Sequence, residues 1–235
     1  MPNAAAASQP EPEPEPEPAN TRESEYTLMN SISFIGLGSM ASAIAARAVA
    51  GGNAVELIGR DAAKATALAN TLGGGATAGT FGDVPVGDIV VLAVPYTSAA
   101  SVVTQYGQAL AGKVIVDISN TFNAQATGLV VPDGTSGAQE IAKALPASAH
   151  VVKAFNAFFG HILAQGHPLD VLFAGDDAQA KASVSAFIES LGLRPLDVGG
   201  LQMARWLEGM GPVLMGLARN GMGSFNIAIG VSVLS

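Results

Sequence analysis

The chain has 235 residues, a formal net charge of −8 and no cysteine, which excludes a disulfide framework, a thiolate metal site and a cysteine nucleophile. With 49% hydrophobic residues it can bury one full core and a small second lobe. Its start lacks a basic segment followed by an apolar one, and no apolar run is long enough to span a bilayer. A cytoplasmic protein with neither a membrane nor a nucleic-acid partner is therefore expected.

Taken in chain order, the first segment holds most of the acidity. Residues 1–28 carry Glu11, Glu13, Glu15, Glu17, Glu23 and Glu25 against Arg22 alone. A Glu-Pro repeat with so little apolar surface cannot offset its ordering entropy, so residues 1–28 read as a disordered acidic tail. The tail is either a spacer or solubiliser, or sequence upstream of a true start at Met29.

Ser33–Ile35 then reads as a short apolar strand that runs into Gly36-Leu37-Gly38-Ser39-Met40-Ala41 and an Ala-rich helix. In that context the spacing G-x-G-x-x-A is a dinucleotide-binding fingerprint. Gly36 permits the tight turn, Gly38 lets the backbone approach a pyrophosphate, and Ala41 lets helix and strand pack closely. The pyrophosphate is favoured by the amides and dipole of the helix N-terminus. A second strand, Ala54–Ile58, completes the unit.

That strand ends at Gly59-Arg60-Asp61, where such folds distinguish the two nicotinamide dinucleotides. An acid at the tip would bind the ribose hydroxyls of NAD. Gly59 has no side chain, and Arg60 with Lys64 one turn later offers cations to a 2′-phosphate, which points to NADP. Both cations also fit solvated positions at a helix start. Asp61 stays open between a helix N-cap and a ribose acid.

Gly73–Gly75 and Gly82–Gly87 punctuate a weak strand near Ala76–Thr80. Ile89–Val94 and Lys113–Asp117 read as buried parallel strands joined by a helix over Thr97–Ala109. An irregular stretch reaches Thr135, followed by a helix over Ser136–Leu145 and a strand at His150–Ala154. Next come Val171–Ala174, a helix Asp177–Leu191 and a strand Arg194–Val198, leaving Leu201–Ser235 room for a couple of helices. The alternation predicts an α/β fold: a Rossmann-type doubly wound parallel sheet with a small C-terminal α+β lobe. The nucleotide domain is placed at residues 29–150 and the lobe at 151–235.

Ligands in such sheets bind outside the carboxyl ends of the strands, and two of those ends stand out. Val94-Pro95-Tyr96 combines a stiff turn with an aromatic ring suited to the nicotinamide side or to half-burial in an ordinary loop. In Lys153-Ala154-Phe155-Asn156-Ala157-Phe158-Phe159-Gly160, Asn156 suits a ring edge or carboxamide and the phenylalanines suit either a flat cofactor or the core. His150, His161 and His167 lack ligand spacing, and no triad, carboxylate pair or metal cluster is evident, so no catalytic side chain and no metal ligand is assigned. Arg194 and Arg205 read either as contacts for a polyanionic substrate tail or as structural charges. Trp206, Leu207, Met210 and Leu214 fall at helical spacing, as in core or dimer packing. This inventory is consistent with direct hydride transfer, in which the protein mainly orients two rings.

Gly175-Asp176-Asp177, Gly192-Leu193-Arg194-Pro195-Leu196-Asp197-Val198-Gly199, Leu207-Glu208 and Asn220-Gly221-Met222-Gly223 resemble the C-terminal half of the NADP-dependent reductases of the deazaflavin coenzyme F420. With the glycine fingerprint and Arg60, the resemblance covers Met29 to about Gly230. It implies NADP(H), a small-molecule redox substrate of the coenzyme F420 type, reversible hydride transfer and a homodimer. By position it implies Gly36, Leu37, Gly38, Ser39 and Met40 around the pyrophosphate, and Gly59, Arg60 and Lys64 around the 2′-phosphate. It likewise implies Val94, Pro95 and Tyr96 at the nicotinamide side, and Asn156, Phe158, Phe159 and Gly160 around the ring pair.

The chain departs from the family pattern at three places. Members often carry Gly-Gly-Thr-Gly at the turn, a serine before the arginine and a histidine at the place of Asn156, so Leu37 and Gly59 remove two hydroxyls and Asn156 an imidazole. The phosphate-site cations are kept. A non-catalytic NADP-binding module and a flavin or ferric reductase are the alternative readings. Deleting residues 1–28 should leave the melting temperature and nucleotide affinity unchanged, because that segment has nothing to contribute to a core. A fall of several degrees in a thermal melt would show that the tail packs on the domain.

Overall fold

The computed structural model describes residues 31–234; the acidic tail and Met29 lie outside the described residues. The first half comprises β1 (Ser31–Ile35), α1 (Ser39–Ala50), β2 (Ala54–Gly59), α2 (Ala62–Leu72) and β3 (Thr77–Thr80). Then come β4 (Ile89–Leu92), α3 (Tyr96–Tyr106), β5 (Val114–Asp117), α4 (Gly137–Ala144) and β6 (His150–Lys153). The remainder is α5 (Gly160–Ala164), β7 (Asp170–Gly175), α6 (Ala178–Ser190), β8 (Arg194–Asp197) and α7 (Ala204–Gly216), which ends in a π-helical turn at Leu217–Gly221.

All eight strands form one sheet in the order β3-β2-β1-β4-β5-β6-β7-β8. Neighbours from β3 to β6 are parallel, whereas β7 runs antiparallel to β6 and β8 runs parallel to β7. Winding reverses at β1, which lies between β2 and β4, and this switch point opens a crevice at the carboxyl ends of those strands. The Rossmann-type α/β fold is thus the observed one.

The expected boundary after residue 150 falls inside this sheet. β6 pairs with β5 from His150↔Val114 onward, and β7 and β8 extend the same sheet. Residues 151–198 are therefore an extension of the nucleotide-binding sheet, and α7 packs back onto α4 and β7. The one-turn α5 was not anticipated, since five residues are too few to show a helical period.

Burial explains the continuous apolar runs. Ile89 and Val91 of β4 face the core beneath α1 and α6, while Val90 and Leu92 face the core beneath α3 and α4. Both faces of the strand are covered, so alternation with polar residues is lost. On α1 the buried stripe is Ala41, Ile44, Ala45 and Ala48, at i, i+3, i+4, i+7 spacing. Its small side chains bring the helix close to the sheet and so place its N-terminus at the crevice. From the far end of α1, Arg47 donates to the carbonyls of Leu163 (2.9 Å), Leu191 (3.1 Å) and His167 (2.8 Å), tying α5 and the end of α6 to the first helix. Among the described residues, no helix is long and apolar enough to cross a membrane.

Candidate active site

The turn after β1 is shaped by two backbone bonds and one steric limit. Gly36 N donates to Ile58 O (2.9 Å), and Ala93 N donates to Ile35 O (2.9 Å). Gly36 has φ of +110°, and a Cβ there would collide with the carbonyl of Ala93, so glycine is required on both counts. Gly38 follows in an extended conformation as the N-cap of α1. No side chain caps this helix and no acid stands in its first turn, which leaves its N-terminal amides and dipole directed at the crevice.

Two cavities adjoin across this turn. One, of about 390 Å³, is lined by Gly36, Leu37, Gly59, Arg60, Lys64 and Phe81, with Val94 and Pro95 at its edge. The Leu37 side chain occupies the place a Cβ at position 59 would take, so the residue after the first glycine reaches across to the tip of β2. Arg60 is exposed, but its guanidinium carbon lies 5.6 Å from the Phe81 ring centroid. That ring meets Tyr106 edge-on at 5.4 Å, and the Tyr106 hydroxyl accepts from Gly82 N (3.1 Å). Burial, above all, pushes the Tyr106 phenol above its ordinary range. Neither Arg60 nor Lys64 joins an ion pair among the described residues. Asp61 caps α2 by accepting from Lys64 N (3.0 Å), which resolves the choice left open by the sequence in favour of the cap.

The second cavity, of about 260 Å³, is lined by Met40, Ala93, Val94, Ile118, Phe158 and Phe159, with Ser119, Asn120, Phe155 and Gly160 completing it. Val94 lines both cavities. Gly160 lies against the first turn of α1, 3.4 Å from Met40 N measured at its would-be Cβ. Phe155 holds a left-handed φ of +58°, uncommon for a non-glycine residue, and reverses the chain after β6. Phe158 is buried in the core, whereas Phe159 is half-exposed, stacked on His161 (5.7 Å) and edge-on to Phe225 (5.6 Å). Ser39 faces a shallow cleft between α1 and α5.

Two of the residues expected at the site lie outside both cavities. Asn156 is buried and donates from Nδ2 to the carbonyl of Leu207 in α7 (2.7 Å), outside the residues that line either cavity. Its amide is thereby engaged with the C-terminal helix. Tyr96 also lines neither cavity; its ring lies against Gly137 at the start of α4, and burial, then Glu140 and Glu208, pushes its hydroxyl above the ordinary range. Arg194 and Arg205 are structural: Arg194 pairs with Asp170 (2.6 Å), holding that carboxyl below its usual range, and Arg205 donates to Thr135 O (2.7 Å). On α7, Leu207 and Leu214 are buried while Trp206 is 69% exposed.

Sequence reasoning missed the buried polar network that holds Ser119 at the second cavity. Lys153 is fully buried; its Nζ donates to Asp117 Oδ2 (2.8 Å) and Ser119 O (2.6 Å) and lies 3.5 Å from Glu208 Oε1. Glu208, also fully buried, accepts from Thr121 Oγ1 (2.7 Å), Gly137 N (3.0 Å) and Ala138 N (3.2 Å). The available signal was a lysine closing the apolar run His150–Ala154, since a buried cation requires an anion. Phe81 was missed too, although it stands just past the end of β3, where ligands are expected. Among the described residues, no group of three or more His, Cys, Asp or Glu is placed to hold a metal.

Residues 31–121, which carry the glycine turn and Arg60, match the family model for NADP oxidoreductases dependent on coenzyme F420. Through this segment, which is less than half of the chain, it resembles that family. It is similar to the F420-dependent NADP reductase of Methanocaldococcus jannaschii, 32% identical over 139 residues that cover 56% of this chain and 62% of the relative. It is also similar to metalloreductase STEAP3 of Rattus norvegicus, 32% identical over 186 residues that cover 75% of this chain and 35% of that protein. The chain thus spans less than two thirds of either curated relative. A solved structure from Arthrobacter sp. FB24, provisionally named an F420-dependent NADP-reductase, matches with a TM-score of 0.75 and 25% identity over 87% of this chain and 100% of that one.

Removing the cation of the buried network leaves Asp117 and Glu208 buried with one partner fewer. Lys153→Met should lower unfolding free energy by about 3–5 kcal/mol, as for other broken buried pairs. Denaturant titration checks this, and a loss below about 1 kcal/mol would show that the pair is dispensable.

Proposed function

We propose that the protein is an NADP-dependent oxidoreductase that passes a hydride between NADP(H) and a deazaflavin of the coenzyme F420 type. The observation that carries the reading is the pair of cavities meeting at Val94 across the glycine turn, one edged by cations that join no ion pair among the described residues and the other walled by aromatic rings. The family match over residues 31–121 supports it.

NADP supplies a hydride donor or acceptor at its nicotinamide ring. The chain's own residues bind and orient. Arg60, held over Phe81, and Lys64 would take the 2′-phosphate, with the guanidinium pre-positioned by the aromatic contact. Gly38, Ser39 and Met40 would present the α1 amides to the pyrophosphate. Val94 lines both cavities, and in the second Phe155, Phe158 and Phe159 would wall the meeting place of the two rings. Proximity and a dry site are what hydride transfer requires of the protein, so no acid or base is assigned. On α7, exposed Trp206 and Val213 with half-buried Met210 between them support a homodimer.

The similarity to a metalloreductase favours a second reading, in which a flavin or ferric chelate is the acceptor. Purified protein with C4-deuterated NADPH should bleach oxidised deazaflavin and transfer the label to its ring. Faster turnover of flavin or ferric chelate would favour the second reading, and turnover of none despite tight NADP binding would favour a non-catalytic NADP-binding module. NADP should bind at least about tenfold tighter than NAD, roughly 1.4 kcal/mol, and Arg60→Ala should abolish most of that preference. Equal affinities by calorimetry would overturn the NADP assignment.

A further inference from the structure

We propose that the Ser119 hydroxyl positions the nicotinamide ring by hydrogen bonding to its carboxamide, an inference that rests on the NADP reading above. Ser119 is 6% exposed, lines the second cavity, and its Oγ is the buried side-chain polar atom without a hydrogen-bond partner among the described residues. Buried hydroxyls are ordinarily paired, so one without a partner among the described residues, on a residue that borders a cavity, points to a ligand reached by rotation about its Cα–Cβ bond.

The backbone around it cannot relax to satisfy the hydroxyl elsewhere. Ser119 N donates to Asp117 Oδ1 (2.9 Å), and Ser119 O accepts from the fully buried Lys153 Nζ (2.6 Å). The same lysine binds the other oxygen of Asp117 (2.8 Å), so the turn after β5 is clamped from both sides. Lys153 is in this sense a positioning residue, acting through Ser119.

The ligand chemistry follows from the surroundings. Apart from Ser119 and Asn120, the cavity wall is apolar: Met40, Ala93, Val94, Ile118 and the phenylalanines. A flat ring with one amide substituent matches such a wall, and a hydroxyl can both donate to the amide oxygen and accept from its nitrogen. Met40 belongs to the first turn of α1, so this cavity begins where the glycine turn ends. Of the two rings, the nicotinamide is therefore the one the hydroxyl addresses.

The test compares Ser119→Ala with the unaltered protein, using NADPH and 2′,5′-ADP, which keeps the phosphates of the adenosine half and lacks the nicotinamide. The variant should bind NADPH roughly three- to tenfold more weakly and 2′,5′-ADP equally well. Its ligand-free melting temperature should not fall, because the lost hydroxyl has no partner among the described residues. Unchanged NADPH affinity, an equal loss for both ligands, or a lower melting temperature would overturn the proposal. A raised acceptor KM at unchanged NADPH affinity would also overturn it, by assigning the hydroxyl to the second substrate. Unaltered protein that binds neither ligand would instead overturn the NADP reading itself.

Discussion

The buried ion cluster of Lys153, Asp117 and Glu208 is the constraint on which the far half of the site depends. One ammonium faces two carboxylates inside the protein, an imbalance that would be costly without further donors. The amides of Gly137 and Ala138 supply them, so the N-terminus of α4 is the counter-charge for Glu208. Because the cluster joins β5, β6, α4 and α7, the turn after β5 cannot be placed until all four have packed. The place of Ser119 at the second cavity is thereby a product of the whole C-terminal half.

The near half is built differently. Its cations lie at the surface, where geometry comes from local packing: Arg60 on Phe81, Phe81 on Tyr106, and Tyr106 on the backbone of Gly82. Such a brace lowers the entropy lost when a guanidinium engages a phosphate, without burying the charge beforehand. The contrast suits the two tasks. Exposed cations edge the first cavity, and aromatic side chains wall the second.

The C-terminal segment adds a wall that few elements anchor. Asp170 at the start of β7 accepts from Arg194 of β8 and from Val231 N, and Arg194 also reaches Val231 O. His161 contacts Phe225 O (3.1 Å), and Phe225 packs on Phe159 at the edge of the second cavity. Residues more than 60 positions after α5 thus complete its surroundings.

Local signals carried most of the fold. Strand and helix periods and the glycine turn are properties of neighbouring residues, and each stands in the structure as the sequence implied. What the sequence could not determine were pairings across long separations. Thr121 meets Glu208 over 87 positions, Asn156 meets Leu207 over 51, and Lys153 meets Asp117 over 36. The direction of β7 and the engagement of Asn156 with α7 follow from such contacts. No local preference distinguishes a lysine that will be buried against an aspartate from one that will be solvated; only the closed sheet, by excluding water at that point, makes the difference.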